Sequence, residues 1–541
     1  MTFQSQSITT KIKSHLEFGN KVAITLLNDR SEEIQLTYHQ LYQDISKMWH
    51  HLTLSGVTKG DKCMLAYEGN EIDYIISFLA INCCGATAVP FKTDFVEDGA
   101  NNCKYIATLT NAKYIIASHS LAQLKEFFPQ HHLISSNAYQ NIIETISMQE
   151  AIQAKIAMIM FTSGSTGQPK GVPITKEAIQ YCMEEFQIND QRTKDSTSLC
   201  NLPLDHIFGI VTFVFLSLWT GGHLVILNTT AFVFNPSLWL AYANKYQATH
   251  AGATNYMLSL ITNAALKQEN QEFDLSNMQS FLLGAEVIQP ETVTSFQNAT
   301  TKFGLKKESM TVVYGATETC SAITLTPYQE MISEKCIDGK SQLYAVGEAL
   351  NKTKIKILDL NTEEQLNYGK IGEVCISGPS ILENYFNIEQ NDIFIEIEGE
   401  RYFKTGDLGY LDQSNHIEQL YVSGRIKEII NIKGEKFSPQ YIENIASQVI
   451  GDTGKLAAFS IPTKDSEELI VLVEETNILS DQIRQELSKK IKMKLLIRAK
   501  VIPQVIAFSK PDSFIKTKSG KIQRNKMKEA YIAQKWNATK F

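Results

Sequence analysis

The chain has 541 residues, 43% apolar and 20% charged, with a formal net charge of −7. That length exceeds one compact core and predicts at least two domains, and the composition excludes a disordered or collagen-like chain. A mildly acidic balance argues against a dedicated nucleic-acid binder, which is usually strongly basic. In chain order, the opening MTFQSQSITTKIKSH has no apolar core that could serve as a signal peptide. Helical periodicity over residues 38–54 and 71–83 alternates with β-rich runs at 62–66, 86–89 and 114–117. Such alternation predicts an α/β architecture. The longest apolar stretch, 207–227, is broken by glycines and polar residues. It reads as a buried strand and helix rather than a membrane span. Hairpin signals fill 345–418, and a smaller region follows from about Ile426. It reads as a strand, a helix (439–449), two strands (456–460 and 468–473), a helix (481–496) and a polar tail. The domain boundary is expected at 424–427. Nine cysteines, an odd number without a CxxC pair, fit neither a disulfide framework nor a zinc site. They predict a reducing compartment, the cytoplasm.

The strongest local signal is FTSGSTGQPKG at residues 161–171, which follows the apolar run 156–161. Glycines let backbone N–H groups approach an anion, hydroxyls add donors, and Lys170 places a point charge on a phosphate. Pro169 stands where a Walker A loop needs glycine, so the loop is not of that class. A flexible Gly/Ser linker is the bland alternative, but a linker needs no strand before it. Further along, VVYGATET (312–319) offers Tyr314 as a face for a purine, Thr317 as a hydroxyl for a phosphate and Glu318 as a hard oxygen ligand for Mg²⁺. FKTGDLGYLD (403–412) puts Asp407 on a glycine turn, where it could accept hydrogen bonds from ribose hydroxyls. GRIKEIINIKGEKFSP (424–439) and the basic IKTKSGKIQR (515–524) complete the set; alone, each reads as a turn, a strand end or a solvated surface.

In this order and spacing the five segments resemble the adenylate-forming superfamily of acyl-CoA synthetases, acyl-AMP ligases and peptide-synthetase adenylation domains. The resemblance runs from about residue 20 to 530. It implies a large N-terminal domain (1–424) of α/β subdomains with a small β-barrel-like part. A hinge (425–427) and a small mobile α+β C-terminal domain (428–541) would follow. It also implies activation of a small carboxylic acid by ATP and Mg²⁺, release of pyrophosphate, and transfer of the acyl group to CoA or a phosphopantetheine arm. A carboxylate is a poor nucleophile toward a polyanion, so such an enzyme must cancel charge and align the attack. By similarity, Thr162, Ser163, Gly164, Ser165, Thr166, Gly167 and Lys170 would hold the β- and γ-phosphates. Thr317 would touch the α-phosphate and Glu318 the metal. Gly284, Ala285 and Glu286 would line the adenine, with Tyr314 stacked on it beside Gly315. Asp407 and Arg425 would hold the ribose. Lys521 matches the catalytic lysine that bridges the carboxylate and the α-phosphate. Lys427 matches the hinge between two domain orientations, one for adenylation and one for thiol transfer, though it could be an ordinary surface lysine. In the second orientation the loop 431–436 would face the site, with Gly434 leaving room for a pantetheine arm.

For the acyl pocket the resemblance points to Asp205, His206, Phe208, Gly209, Asn255, Tyr256, Met257, Val313, Ala316 and Ile323. Asp205 departs from the aromatic common in acyl-CoA synthetases. It could face a substrate ammonium, or bond a neighbouring backbone amide, the reading favoured here. Lys176 stands where relatives usually carry histidine. Segments 283–288 and 304–321 look like acyl-AMP ligases that load carrier proteins, whereas GKIQR looks more like acyl-CoA synthetases. A carrier protein would then act in trans, and the basic run 489–500 is either its docking face or a solvated helix face. Lys521 and Glu318 are both present, which argues against a non-catalytic nucleotide-binding relative. A simple ATPase would need a water-activating group at the γ-phosphate and would yield ADP.

Overall fold

The computed structural model describes all residues except 1–5, 29–31, 68–71, 93–96, 119–120, 145–146, 149–153, 164–168, 269–271, 329, 331, 333, 338–340, 389–390, 415–416, 433–434, 452–453, 463–466, 517–521 and 537. Two large sheets carry the first half. A six-stranded sheet orders His132–Ser135, Tyr114–Ala117, Lys62–Tyr67, Thr87–Lys92, Ile156–Ser163 and Pro169–Thr175. Its strands are parallel except for the final hairpin. Lys62–Tyr67 is apolar and buried at every position after the first. That is the pattern of a parallel strand covered on both faces. A nine-stranded sheet has Thr197–Cys200, His250–Ala253, Ser280–Leu283 and Met310–Ala316 running parallel at its centre.

Helix Tyr38–Leu54 opens with a capping box between Thr37 and Gln40, and buries Tyr38, Leu41, Ile45 and Met48 at helical spacing. Helix Ile72–Cys83 is buried at every residue but Asp73. It packs against the six-stranded sheet, and its Phe78 ring lies 5.0 Å from Phe215. The apolar stretch after Asp205 is the expected helix and strand: a π-helical turn Ile210–Phe215, helix Leu216–Thr220 and strand His223–Leu227. A five-stranded antiparallel sheet occupies Lys354–Arg425 as the hairpin signals predict.

The main hydrophobic core ends at Val422 and a separate one begins at Ile430. The end of strand Ile417–Arg425 and the 3-10 turn Ile426–Glu428 lie between them. The terminal region is built on a sheet of Gly454–Pro462, Glu467–Glu475, Val505–Ser509 and Ala538–Lys540. Helices Pro439–Ile450 and Asp481–Ala499 share a core on one face. The expected polar tail is corrected: residues after 496 contribute two strands and helix Arg524–Ile532. Phe514 and Met527 there, with Trp536 packed beside them, close the other face of the sheet. Their apolar pattern is diluted by lysines, so it escapes a periodicity reading. Among the described residues no helix is long and apolar enough to cross a membrane, and no disulfide forms.

Candidate active site

Strand Met310–Ala316 doubles back into Ser321–Leu325 through the 3-10 turn Thr317–Thr319. A Cβ on Gly315 would stand 1.8 Å from the Ser321 carbonyl oxygen, so only glycine permits this approach. Thr319 fastens the turn: its hydroxyl oxygen accepts from Ala316 N–H at 2.8 Å and lies 2.7 Å from the Ser321 carbonyl. The half-buried Tyr314, Thr317 and Glu318 are thereby presented together.

Asp407 is buried and pairs in register with Arg425 across the five-stranded sheet. Tyr314 donates its hydroxyl to Asp407 Oδ2 at 2.7 Å, and Arg425 Nε approaches Oδ1 at 2.7 Å. Burial, then the Asp407 charge, push the Tyr314 hydroxyl well above its ordinary pKa, so it remains a donor. Glu318 Oε1 accepts from the Tyr385 hydroxyl at 2.9 Å, and Lys170 Nζ lies 4.9 Å from the centre of the Tyr385 ring. Lys170 sits opposite Thr162 in the hairpin of Ile156–Ser163 with Pro169–Thr175. The sequence predicts a loop after the first strand; the immediate return strand is a finding. Gly164, Ser165, Thr166 and Gly167, like Gly434 and Lys521, lie outside the described residues, as does the side chain of Ser163.

A cavity of about 390 Å³ joins Tyr314, Gly315, Asp407 and Arg425 to Ala285 and Glu286. Gly284 is buried behind it, and Ala285 holds a left-handed φ of 69°. Glu286 Oε1 accepts from Asn255 N–H at 2.8 Å. The Asn255 side chain donates to the Val287 carbonyl and accepts from Gln289 N–H, so it is fixed at the cavity wall. The opposite wall comes from the terminal region through Glu443, Asn444, Lys455, Lys516, Ile522 and Arg524. Asn444 donates to Glu291 at 3.0 and 3.2 Å, and Lys455 Nζ stands 5.3 Å from the Tyr256 ring. Burial, then the Lys516 charge, push the Lys455 ammonium below its ordinary pKa. Residues 517–521 join Lys516 to Ile522, which form an antiparallel bridge. The described residues of the loop 431–436 do not line it.

The expected acyl wall is only partly on this cavity. Asn255, Tyr256 and Val313 line it; Phe208, Gly209, Met257 and Ile323 are buried in the core and do not, and neither does half-buried Ala316. A Cβ on Gly209 would meet the Pro203 carbonyl oxygen at 2.2 Å, so this glycine serves the local backbone packing. The backbone-amide bond favoured for Asp205 is absent among the described residues. His206 takes the cap instead, with Nδ1 accepting from Phe208 N–H at 3.2 Å. Asp205 acts, after burial itself, to raise the Tyr74 hydroxyl. Lys176 begins helix Lys176–Asn189 and is half-buried. Lys427 is exposed in its 3-10 turn. The basic run lies on Asp481–Ala499, where Lys489 and Lys490 face solvent beside exposed Met493 and Ile497. Tyr385, Glu443 and Lys455 were not legible as site residues. Arg524 was visible only as part of a basic motif.

A family model described as AMP-binding enzyme matches residues 13–386, and one described as Disco-interacting protein 2-like, AMP domain, matches 427–540. A medium-chain fatty-acid acyl-carrier-protein ligase, JamA, from Moorena producens is 24% identical over 574 residues, covering 96% of this chain and 94% of that protein. The 4-hydroxyphenylalkanoate adenylyltransferase of Mycobacterium marinum is 23% identical, covering 92% and 86%. Among solved structures, fatty acyl-adenylate ligases from E. coli and L. pneumophila superpose with a TM-score of 0.83 at 23% identity, covering 98% of each chain. McyG A-PCP complexed with phenylalanyl-adenylate superposes at 0.86 and 23% identity, covering 98% of this chain and 84% of that one.

Proposed function

We infer that this chain, which belongs to the AMP-binding enzyme family and is an adenylate-forming acyl-activating ligase, joins a carboxylic acid to the AMP portion of ATP and releases pyrophosphate. It then passes the acyl group to the thiol of CoA or of a phosphopantetheine arm on a carrier protein acting in trans. The observation that carries this reading is the cavity itself. It gathers Tyr314 and the Asp407–Arg425 pair on one wall, and the two ends of the Lys521 segment on the other.

In this reading Asp407 and Arg425 hold the ribose, Tyr314 and the 284–286 segment line the base, and Thr317 contacts the α-phosphate. Thr162, Ser163, Lys170 and the residues 164–167 between them take the distal phosphates. Lys521 stabilises charge that builds between the carboxylate and the α-phosphate, a role whose loss costs on the order of 3 kcal/mol in the barrier. Mg²⁺ fits Glu318. The described residues contain no group of three or more His, Cys, Asp or Glu that could cage a metal, so one carboxylate would share the ion with phosphate oxygens and water. Bound there, the ion supplies charge neutralisation on the phosphates. Residues 428–541 act as the small domain and Lys427 as its hinge. The acid binds toward Asn255, Tyr256 and Val313, with His206 and Asp205 beyond; Asp205 is available for a substrate ammonium. The cationic face of Asp481–Ala499 is open to an acidic carrier.

Carboxylate-dependent pyrophosphate release from ATP tests the reading, with fatty, aryl, short hydroxy and amino acids as a panel and hydroxylamine as acceptor. Release of pyrophosphate and AMP with one acid class is expected. Formation of ADP, or no turnover with any class or acceptor, would overturn it.

A further inference from the structure

Glu474, next to last in the strand Glu467–Glu475, is almost completely buried, at 3% exposure, yet three donors converge on it. Lys516 Nζ donates to Oε2 at 2.6 Å and Phe514 N–H donates to Oε1 at 2.6 Å. Lys455 Nζ stands 3.8 Å from Oε2. A carboxylate is retained in such a place only where partners offset its lost hydration, and here two ammonium groups share it.

The groups that Glu474 holds lead to two places. Lys516 is one foot of the segment 517–521 and is bridged to Ile522 at the other. Lys455 reaches across the cavity to the Tyr256 ring on the far wall. The second foot has its own carboxylate. Arg524 Nε and Nη2 donate to Glu443 at 2.8 and 2.7 Å, and Glu443 also accepts from Ala458 N–H at 2.8 Å. Lys516 and Arg524, on either side of the five-residue segment, are thus tied to two carboxylates, Glu474 of the sheet and Glu443 of helix Pro439–Ile450.

We propose that Glu474 is a positioning residue for acyl activation. It fixes the Lys516 foot of the segment that carries Lys521 and the Lys455 contact on Tyr256 in one geometry, so that Lys521 reaches the reacting atoms when the two walls of the cavity meet. The inference rests on the role proposed for Lys521 in adenylate formation. Glu474→Gln keeps the shape but removes the charge. Lys455 and Lys516 would then lie together without a counter-charge, repel, and shift the foot. A misplacement near 1 Å costs about a hundredfold in rate.

The test measures both half-reactions in single turnover, with a medium-chain fatty acid or the acid found active in the panel. Glu474→Gln should slow adenylate formation at least about thirtyfold, leave KM for ATP within about threefold, and leave thiol transfer from supplied acyl-adenylate within about twofold. In a Lys521→Ala background it should add less than about a twofold loss, because a residue acting through Lys521 has nothing left to position. Equal losses in both half-reactions, or a full further loss beside Lys521→Ala, would overturn the inference. A normal Glu474→Gln beside an inactive Lys521→Ala would sink this inference alone, whereas an active Lys521→Ala would sink the reading beneath it. If Glu474→Gln loses its cooperative thermal transition, Lys516→Met carries the same test on the same foot.

Discussion

Tyr314 shows how one side chain serves the site twice. Its ring belongs to the cavity wall, while its hydroxyl is committed to Asp407 at 2.7 Å. Asp407 is buried and accepts from both Tyr314 and Arg425, so its carboxylate is oriented before any ligand arrives. Preorganisation of this kind lowers what binding must spend on ordering. Tyr314→Phe keeps the ring and deletes the bond. A hydrogen bond to a charged group contributes about 1.5–3 kcal/mol, so KM for ATP should rise roughly tenfold or more, with KM for the acid unchanged. ATP titration of pyrophosphate release checks this. An unmoved KM would mean that Arg425 alone holds Asp407.

At the scale of elements, strand His250–Ala253 lies inside the nine-stranded sheet and is buried throughout. His250 is fully buried, with Nε2 3.0 Å from the Asp190 carbonyl and Nδ1 2.8 Å from the Thr249 hydroxyl. Burial pushes its imidazole down from 6.5 to about 4, so the native ring stays neutral. The unfolded chain takes up a proton near its ordinary pKa, which the native state refuses until about 4. Its contribution is therefore complete above pH 6.5 and lost as pH falls toward 4, a loss of roughly 3 kcal/mol. His250→Gln should flatten the fall in stability across that window, whatever its effect at pH 7. Urea midpoints at pH 7, 5.5 and 4.5 measure the slopes, and parallel slopes would remove the assignment. The same scale explains what was legible. Capped helices such as Tyr38–Leu54 and buried strands such as Lys62–Tyr67 follow local patterns and are readable from the chain. Glycine turns put Tyr314, Asp407 and Arg425 within reach of a sequence reading too. Tyr385, Glu443 and Glu474 were not, because each matters through a partner 40 to 81 residues away and carries no local mark. Met257 and Phe208 are buried away from this cavity, and an apolar residue has the same signature whether it lines a pocket or fills a core.

For the whole molecule, polar side chains among the described residues link the terminal region to the rest. Asn444 meets Glu291, and Lys455 rests on Tyr256, across a cavity rather than a packed core. The two hydrophobic cores stop at Val422 and restart at Ile430. Small polar interfaces of this kind make relative motion the default. The proposed two-step chemistry needs that motion, since the described residues of the loop 431–436 do not line the cavity while Lys516 and Ile522, the ends of the Lys521 segment, do. Lys427 lies in the 3-10 turn Ile426–Glu428, a conformation whose usual φ of about −50 to −70° overlaps that of proline. A proline there should hold the present arrangement and resist the dihedral change that brings the loop 431–436 inward. Lys427→Pro is therefore expected to keep carboxylate-dependent pyrophosphate release within about threefold while lowering thiol transfer from a supplied acyl-adenylate at least about a hundredfold. Measuring the two half-reactions side by side checks this. Equal activity in both would show that transfer occurs without rotation at Lys427. Loss of adenylate formation with transfer intact would place the present arrangement at the second step instead of the first.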